Sequence, residues 1–218
     1  MSHVTSHTFL PALLEKINAT LRKNPTCRIG LSGGTSPRAL YAQLAQQRLP
    51  WNRIEWILID ERYVPPTSDQ SNFRMLNETL FSQIPFQPEN IYVFNTTLPI
   101  PEAIKYSQER LQNLTKARHP LIDILILGMG KDGHIASLFP GSPALETSSM
   151  VASSQTKNSP VEQRLTLTFN ALLDSEEVLI LAPGEEKKKA LEKAQKPGAD
   201  FHEFPIAKIL QNAKCEIF

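Results

Sequence analysis

The sequence predicts an α/β fold in which a largely parallel sheet is flanked by helices. Short apolar runs alternate along the chain with longer stretches of helical periodicity, which is the order expected of strand–helix–strand units. The apolar runs are nearly continuous, as in strands that are covered on both faces. A chain of 218 residues is long enough to bury such a core, and we expect one domain spanning residues 1–218.

The predicted elements follow one another in a regular order. Strands are predicted at residues 27–31, 54–59, 122–127 and 178–181. Helices are predicted at residues 37–47, 72–82, 102–117 and 185–194. Residues 165–169 alternate between polar and apolar and predict a strand at a sheet edge, whereas residues 148–160 predict a long polar connection.

The composition excludes several classes of function. Lys and Arg total 23 and Asp and Glu total 22, and no basic stripe indicates a nucleic-acid or membrane partner. No apolar run approaches the length of a membrane span, and the N-terminus lacks the pattern of a signal peptide. Cys27 and Cys215 form no disulfide framework, so we expect free thiols in a reducing cytoplasm. A monomer or a small homo-oligomer fits the sequence.

The first candidate binding segment follows the first predicted strand, at the carboxyl end where open α/β sheets collect ligands. Ser32, Gly33 and Gly34 allow a tight turn there. Ser36 is the expected cap of the next helix, and Pro37 its first residue. The free amides of a helix N-terminus suit a phosphate. The loop is neither a Walker loop nor a GxGxxG fingerprint, so no nucleotide is indicated, and a turn without a ligand fits equally well.

The second segment consists of Asp60, Glu61 and Arg62, directly after a predicted strand. Three charges at such a place are costly to bury unless they are paired or used. Arg62 could hold a phosphate or polarise a carbonyl, with Asp60 orienting a neighbour. A cluster of surface ion pairs is the alternative interpretation.

The third segment is the glycine-rich run GMGKDGHIASLFPG at residues 128–141. Three glycines in its first six positions allow the backbone to approach a ligand closely. His134 lies where the chain leaves the loop, before small and apolar residues that could wall a pocket. Histidine is the residue type best suited to take a proton from water near neutral pH. A loop histidine bonded to a nearby carbonyl is the alternative.

The fourth group consists of two basic residues. Arg164 precedes a predicted strand and Lys187 lies at a predicted helix start, so either could reach a phosphate, although both also suit a solvated surface.

The sequence does not support a metal site or a serine nucleophile. His3 and His7 have a spacing that suits a metal on a helix, but they lie in a terminus expected to fray. No Cys and His cluster has zinc spacing and no GxSxG elbow is present, which disfavours metal-assisted and serine-nucleophile hydrolysis.

Together these segments resemble the 6-phosphogluconolactonases of the glucosamine-6-phosphate isomerase/6-phosphogluconolactonase family. The matching segments, in the same order, are residues 32–37, 60–62, 71–72, 128–141, 164–168 and 184–187. The resemblance spans most of the chain, and its most specific element is the run at residues 128–141.

The resemblance implies a modified Rossmann-type α/β sandwich like that of glucosamine-6-phosphate deaminase. It also implies hydrolysis of 6-phospho-D-glucono-1,5-lactone to 6-phosphogluconate in the oxidative pentose phosphate pathway, with no metal and no organic cofactor. By position, His134 matches the general base and Asp132 a supporting residue of the same loop. The positions that match the substrate pocket, several of them near the phosphate, are Ser32, Gly33, Gly34, Arg62, Arg164 and Lys187.

The sequence departs from the family pattern near its C-terminus. Many relatives have an alanine-rich helix start there and a closing Trp-Asp strand. Here residues 204–208 are FPIAK and residues 215–218 are CEIF. The C-terminal wall of the pocket is therefore left undefined by the sequence.

Two other functions share parts of the pattern. Glucosamine-6-phosphate deaminases have the same fold and loop, but typically follow the histidine with a segment like Ile-Ala-Phe-Asn-Glu-Pro, whose Glu assists it. Here residues 135–140 contain no carboxylate, and Arg62 stands where deaminases tend to carry an aromatic residue. We therefore expect His134 to act as a solitary general base. A sugar-phosphate sensor without catalysis would normally carry a further domain, for which we expect no room outside residues 9–210.

Overall fold

The computed structural model of the protein describes residues 6–85 and 87–218, with side chains from residue 8 onwards. His3 and His7, whose spacing suits a metal, lie outside the described side chains. The strands are β1 (Cys27–Leu31), β2 (Ile54–Leu58), β3 (Asp60–Arg62), β4 (Ile91–Tyr92), β5 (Ile122–Gly128), β6 (Val151–Gln155), β7 (Gln163–Leu167), β8 (Ser175–Leu181) and β9 (Cys215–Ile217). The helices are α1 (Ser6–Lys23), α2 (Arg38–Ala45), α3 (Asn72–Thr79), α4 (Ile100–Ala117), α5 (Phe169–Leu172), α6 (Glu185–Ala194) and α7 (Ile206–Asn212). Short 3-10 turns occur at Trp51–Arg53, Phe81–Gln83, Pro88–Asn90 and Pro143–Leu145.

The larger sheet has six parallel strands in the order β4-β2-β1-β5-β8-β9. Every residue of β1, at the centre of this sheet, is buried, as expected of a parallel strand covered on both faces. The predicted fold class, an α/β fold with a largely parallel sheet flanked by helices, is confirmed. All four strands predicted for the parallel sheet are observed in it, and the short outer strands β4 and β9 complete it.

Successive residues of the central strands pack into two separate apolar layers, one on each face of the sheet. In β5, Ile124 and Ile126 belong to one layer, and Leu125 and Leu127 belong to the other. This is the period of two expected of a strand that is buried on both faces.

Helix α1 covers the layer that contains Ile124, and the sequence analysis did not predict it. Its buried positions recur every four residues: Phe9, Leu13, Ile17 and Leu21. That spacing is the apolar stripe of an amphipathic helix. The signal was present in the sequence, but the polar residues before it led to the expectation of a frayed terminus.

A second sheet has three antiparallel strands in the order β3-β7-β6, and it corrects three sequence predictions. Residues 60–62 form the separate strand β3. The strand predicted at residues 165–169 is β7, which lies at the centre of this sheet and not at an edge. The predicted polar connection at residues 148–160 contains β6. β3 pairs with β7 across a long sequence distance, and β6, which forms a hairpin with β7, has a largely polar sequence, so local patterns did not reveal them.

Asp123, the one charged residue of β5, is 1% exposed and is held by two arginines. Its carboxylate accepts bonds from Arg118 Nη1 at 2.9 Å and Nη2 at 2.6 Å, and from the Arg28 N–H at 2.6 Å. Asp123→Ala is expected to lower the free energy of unfolding by about 3–5 kcal/mol, because it leaves a partly buried guanidinium without its partner. Urea unfolding measures this, with Glu78→Ala at the exposed pair with Arg74 as the control. An equal decrease in the free energy of unfolding in the two variants would contradict the prediction.

The C-terminal segment completes the parallel sheet, since β9 pairs with β8 and α7 precedes it. Within the described residues, no helix has both the length and the apolar character needed to cross a membrane.

Candidate active site

The loops after β1 and β5 diverge where the strand order of the parallel sheet reverses. From β1 the chain proceeds to β2 and β4 on one side, and it then returns to β5 and β8 on the other. Open α/β sheets bind ligands outside the carboxyl ends of the strands at such a point. Ser32 joins the two strand ends: its hydroxyl donates to the Ile126 carbonyl at 2.8 Å and accepts from the Gly128 N–H at 2.9 Å. The Ser32 hydroxyl therefore holds this junction together.

A cavity of about 330 Å³ opens at this point. It is lined by every residue that the sequence analysis assigned to the site, namely Ser32, Gly33, Gly34, Arg62, Asp132, His134, Arg164 and Lys187. Arg62 and Arg164 come from the small sheet, and the others come from loops and helices at the edge of the large sheet. The cavity therefore lies where the two sheets meet.

The ring of His134 is held by Asp132, two residues before it. Asp132 Oδ1 lies 2.5 Å from His134 Nδ1 and also accepts a bond from the His134 N–H at 3.2 Å. Burial alone would raise the pKa of Asp132, but the hydrogen bonds and the charge of His134 outweigh burial and lower that pKa. Because an ionised carboxylate can only accept, the tautomer of a neutral ring that fits this contact has its proton on Nδ1 and leaves Nε2 as an acceptor. The sequence analysis named Asp132 as a supporting residue and found no carboxylate downstream of His134, and the contact with Asp132 gives the histidine a partner on the upstream side of the loop.

The backbone around this pair leaves no room for larger residues. A Cβ at Gly130 would lie 2.1 Å from His134 Nδ1. Gly133 has a φ of +81°, and a Cβ there would lie 3.0 Å from the ring of Phe204. The Ile206 N–H donates to the Gly133 carbonyl at 3.0 Å. The C-terminal segment, which the sequence left undefined, therefore contacts the glycine-rich loop directly.

Arg62 and Arg164 stand directly opposite each other on β3 and β7. Arg164 is only 5% exposed, and its Nη2 donates to Ser159 Oγ at 2.6 Å while Nε and Nη1 have no partner. Burial, and then the charge of Arg62, lower the pKa of Arg164 against the attraction of nearby carboxylates. Like charges opposite each other in a sheet are destabilising. The pair therefore favours the binding of an anion.

Lys187 reaches from the first turn of α6 to the loop after β1. Its Nζ donates to Ser36 Oγ at 3.0 Å, and burial lowers its pKa. The predicted capping role of Ser36 is wrong, because α2 begins at Arg38, its N-cap residue Pro37 makes no side-chain bond, and the Ser36 hydroxyl accepts from Lys187. The lysine adds a third positive charge to the cavity.

Comparison with known proteins identifies the family. A family profile described as Glucosamine-6-phosphate isomerases/6-phosphogluconolactonase matches residues 3–217. The chain belongs to this family. A 6-phosphogluconolactonase from Thermotoga maritima is 41% identical over 175 residues, which cover 79% of this chain and 76% of the relative. A 6-phosphogluconolactonase from Nostoc sp. is 32% identical over 200 residues, covering 90% of this chain and 82% of the relative.

Solved structures of family members share the fold. The crystal structure of the Thermotoga maritima 6-phosphogluconolactonase has a TM-score of 0.84 at 33% identity, covering 97% of this chain and 94% of that chain. The Trypanosoma brucei 6-phosphogluconolactonase has a TM-score of 0.82 at 26% identity, covering 100% of this chain and 94% of that chain. The predicted membership of the glucosamine-6-phosphate isomerase/6-phosphogluconolactonase family is confirmed.

In this family member, the cavity has further polar residues that the sequence analysis did not assign to it: Asn72, Ser137, Thr156, Asn158 and Ser159. Thr156, Asn158 and Ser159 lie in the hairpin between β6 and β7. The sequence analysis did not predict β6 and treated this region as a connection, so it did not place these residues at the site. Among the described residues, no group of three or more His, Cys, Asp or Glu side chains could hold a metal ion.

The three charged residues of β3 divide between two faces, because side chains alternate along a strand. Asp60 and Arg62 line the cavity. Glu61 faces α3 instead, where its carboxylate accepts from the N–H groups of Asn72 at 2.7 Å and Phe73 at 2.8 Å. Burial raises the pKa of Glu61 in spite of these hydrogen bonds. The triplet is therefore not a surface ion-pair cluster.

Asn72 packs directly on the glycine loop. Its Nδ2 donates to the Asp60 carbonyl at 2.9 Å and to Asp60 Oδ1 at 3.2 Å. A Cβ at Gly33 would lie 2.0 Å from the Asn72 side chain, so this contact requires glycine.

Proposed function

We propose that this chain hydrolyses 6-phospho-D-glucono-1,5-lactone to 6-phosphogluconate, as a step of the oxidative pentose phosphate pathway in the cytoplasm. The observation that carries the proposal is the placement of the His134–Asp132 pair in one cavity with Arg62, Arg164 and Lys187. An acid–base group beside a cationic cluster suits a small substrate with one reactive and one anionic end. The name of the relatives, 6-phosphogluconolactonase, supports the same substrate. Since the cavity draws on both sheets, we also propose that they act as one domain.

In the proposed mechanism, water opens the lactone without a covalent intermediate. His134 Nε2 takes a proton from water while the water oxygen bonds to C1. The bond between C1 and the ring oxygen then breaks, and the proton returns from His134 to that oxygen. The products are the carboxylic acid and a free hydroxyl group. Asp132, hydrogen-bonded to Nδ1, stabilises the imidazolium between the two steps. The scheme uses neither a metal nor an organic cofactor.

The cations have a separate task in this mechanism. Arg62, Arg164 and Lys187 bind the phosphate, and this remote binding energy holds C1 against His134. Negative charge that develops on the carbonyl oxygen of C1 is stabilised by arginine or backbone N–H donors.

Arg164→Met is expected to raise KM for the lactone about 10- to 100-fold, because charged hydrogen bonds to the phosphate are lost. The effect on kcat is expected to be smaller, since the His134–Asp132 pair stays in place. The variant is also expected to be at least as stable as the wild type in urea, because Arg164 is a buried charge with two unpaired nitrogens. Arg74→Met, which removes an exposed arginine paired with Glu78, is the control. An unchanged KM in Arg164→Met would contradict the assignment.

The alternative function is that of a glucosamine-6-phosphate deaminase/isomerase. Phe139 occupies the position at which deaminases typically carry the assisting Glu, and its ring centroid lies 4.9 Å from that of His134. An aromatic ring cannot exchange a proton with the histidine. This contact favours the lactonase.

One experiment tests the proposal against the alternative. The lactone is generated in situ from glucose 6-phosphate and its dehydrogenase, and its disappearance is followed with and without the protein. The uncatalysed control is needed because the lactone opens by itself. We expect faster loss of lactone with the protein and no ammonia from glucosamine 6-phosphate. Ammonia release without lactone turnover would reverse the choice.

A further inference from the structure

Ser137, three residues after His134, has each of its polar groups held by a different strand of the small sheet. Its Oγ donates to Asp60 Oδ2 on β3 at 2.6 Å. Its N–H donates to Thr166 Oγ1 on β7 at 3.1 Å. Its carbonyl accepts from Ser154 Oγ on β6 at 2.6 Å. All four residues are buried, and Ser137 is 2% exposed. The proposed chemistry uses none of these bonds, so they need another explanation.

The residue before it, Ala136, has a φ of +47°, the one positive φ recorded for a residue other than glycine in the described part of the chain. Residues with a Cβ rarely adopt this conformation, and they keep it only where their surroundings fix it. On the N-terminal side, Ile135 is fully buried and forms bridges with Met129 and Leu138. On the C-terminal side, the fixed point is Ser137.

We propose that Ser137 is a positioning residue for the reaction, which keeps Ala136 in its left-handed conformation and so fixes the cavity wall beside His134. Ala136, Ser137 and Phe139 all line the cavity, and Phe139 packs on the histidine ring. Without the three bonds to Ser137, Ala136 would relax to a negative φ, and the chain between His134 and Phe139 would change direction. The Ser137 hydroxyl is committed as a donor to a carboxylate, and it is not a nucleophile.

This movement would displace the wall relative to His134 Nε2 but leave the phosphate-binding cations in place. The signature of the role is therefore a loss of kcat without a matching rise in KM. The inference rests on the proposed lactonase function, because lactone turnover is its readout.

The test uses Ser137→Ala and Ser154→Ala, which each remove one of the bonds. Asp60 is left intact because it also accepts from Asn72. We expect Ser137→Ala to lower kcat at least about 10-fold, because small misplacements near a reacting centre are costly. KM for the lactone and Kd for 6-phosphogluconate are expected to change less than about 3-fold. Ser175→Ala, which removes a hydroxyl bond to the Leu172 carbonyl outside the cavity, is expected to keep the wild-type kcat.

The same substitution made in the Ala136→Gly variant distinguishes a positioning role of Ser137 from a general loss of stability. Glycine adopts a positive φ at no steric cost, so in Ala136→Gly the three hydrogen bonds to Ser137 are no longer needed to keep residue 136 in this conformation. Ser137→Ala in the Ala136→Gly background is therefore expected to keep kcat within about 3-fold of Ala136→Gly alone. If Ser137→Ala does not fold, Ser154→Ala provides the same comparison, since it removes only the donor to the Ser137 carbonyl.

Three results would overturn the positioning role: a wild-type kcat in Ser137→Ala, an equal loss of kcat in both backgrounds, or a loss confined to KM. Failure of the proposed function looks different. In that case the wild-type protein itself would not accelerate the loss of lactone over the uncatalysed control.

Discussion

His134→Ala is expected to lower kcat for the lactone by about 100- to 10,000-fold, which is the usual contribution of a positioned acid–base group. Of the histidines whose side chains the structure describes, His134 alone lines the cavity, and its Nδ1 is held by Asp132, so in the proposed mechanism Nε2 is the atom left to take the proton from water. KM is expected to change little, because Arg62, Arg164 and Lys187 are untouched. The measurement is the initial rate of lactone loss at saturating substrate, corrected for spontaneous opening.

His202→Ala is the matched control for this variant. His202 also follows an aspartate by two residues, and its Nδ1 lies 2.8 Å from Asp200 Oδ1, but it does not line the cavity. The two histidines therefore share a local arrangement and differ in location. We expect His202→Ala to keep the wild-type kcat. A near-normal kcat in His134→Ala, or equal losses in both variants, would remove His134 from the mechanism.

Gly130→Ala is expected to lower kcat about 100-fold or more, the scale of loss for a displacement of about 1 Å at a reacting group. The added Cβ would lie 2.1 Å from His134 Nδ1 and 2.6 Å from Asp132 Oδ1. These atoms form the hydrogen bond that fixes the ring, so the methyl group has to separate them or shift the loop. The kinetic assay measures the effect, and thermal unfolding shows whether the fold is retained.

Gly128→Ala is the control for Gly130→Ala, and it lies two residues earlier, at the end of β5. Its Cβ would meet Ser32 Oγ at 3.5 Å, an ordinary contact, and Gly128 does not have a positive φ. We expect a loss of kcat at least about ten times smaller than that of Gly130→Ala. If both substitutions reduced kcat equally, the cause would be the loop in general and not the crowding of the His134–Asp132 pair.

The large sheet could be predicted from the sequence because each of its inner strands contains a nearly continuous apolar run. The small sheet could not be predicted from the sequence, and the reason differs between β3 and β6. β3 has three residues, all charged, and begins after a single residue that separates it from β2. β6 has the sequence VASSQ, in which only the first residue is both apolar and fully buried. Such strands are defined by their pairing partners, which a local pattern does not contain.

The candidate site also has a part that the sequence could predict and a part that it could not. The eight residues that the family resemblance assigned to the site all line one cavity, because they lie in motifs that are local in sequence. The bond between Asp132 and His134 is also local, and it joins the two residues of the loop that the resemblance matched to the general base and its supporting residue. By contrast, the three partners of Ser137 are separated from it by 77, 29 and 17 positions. No spacing rule relates them, so only the three-dimensional structure reveals the contacts that hold this side of the loop.

The bond from the Ile206 N–H to the Gly133 carbonyl bears on how the protein is made. A ribosome adds about 5–20 residues per second and releases the chain from its N-terminus. The loop at residues 128–141 and even Lys187 are therefore synthesised before the segment that supports Gly133. A nascent chain that ends before Ile206 already contains all eight cavity residues that the sequence analysis assigned, but it lacks the bond that supports Gly133. During translation, the loop would therefore gain its full support only after all eight residues have been synthesised, when α7 packs against it.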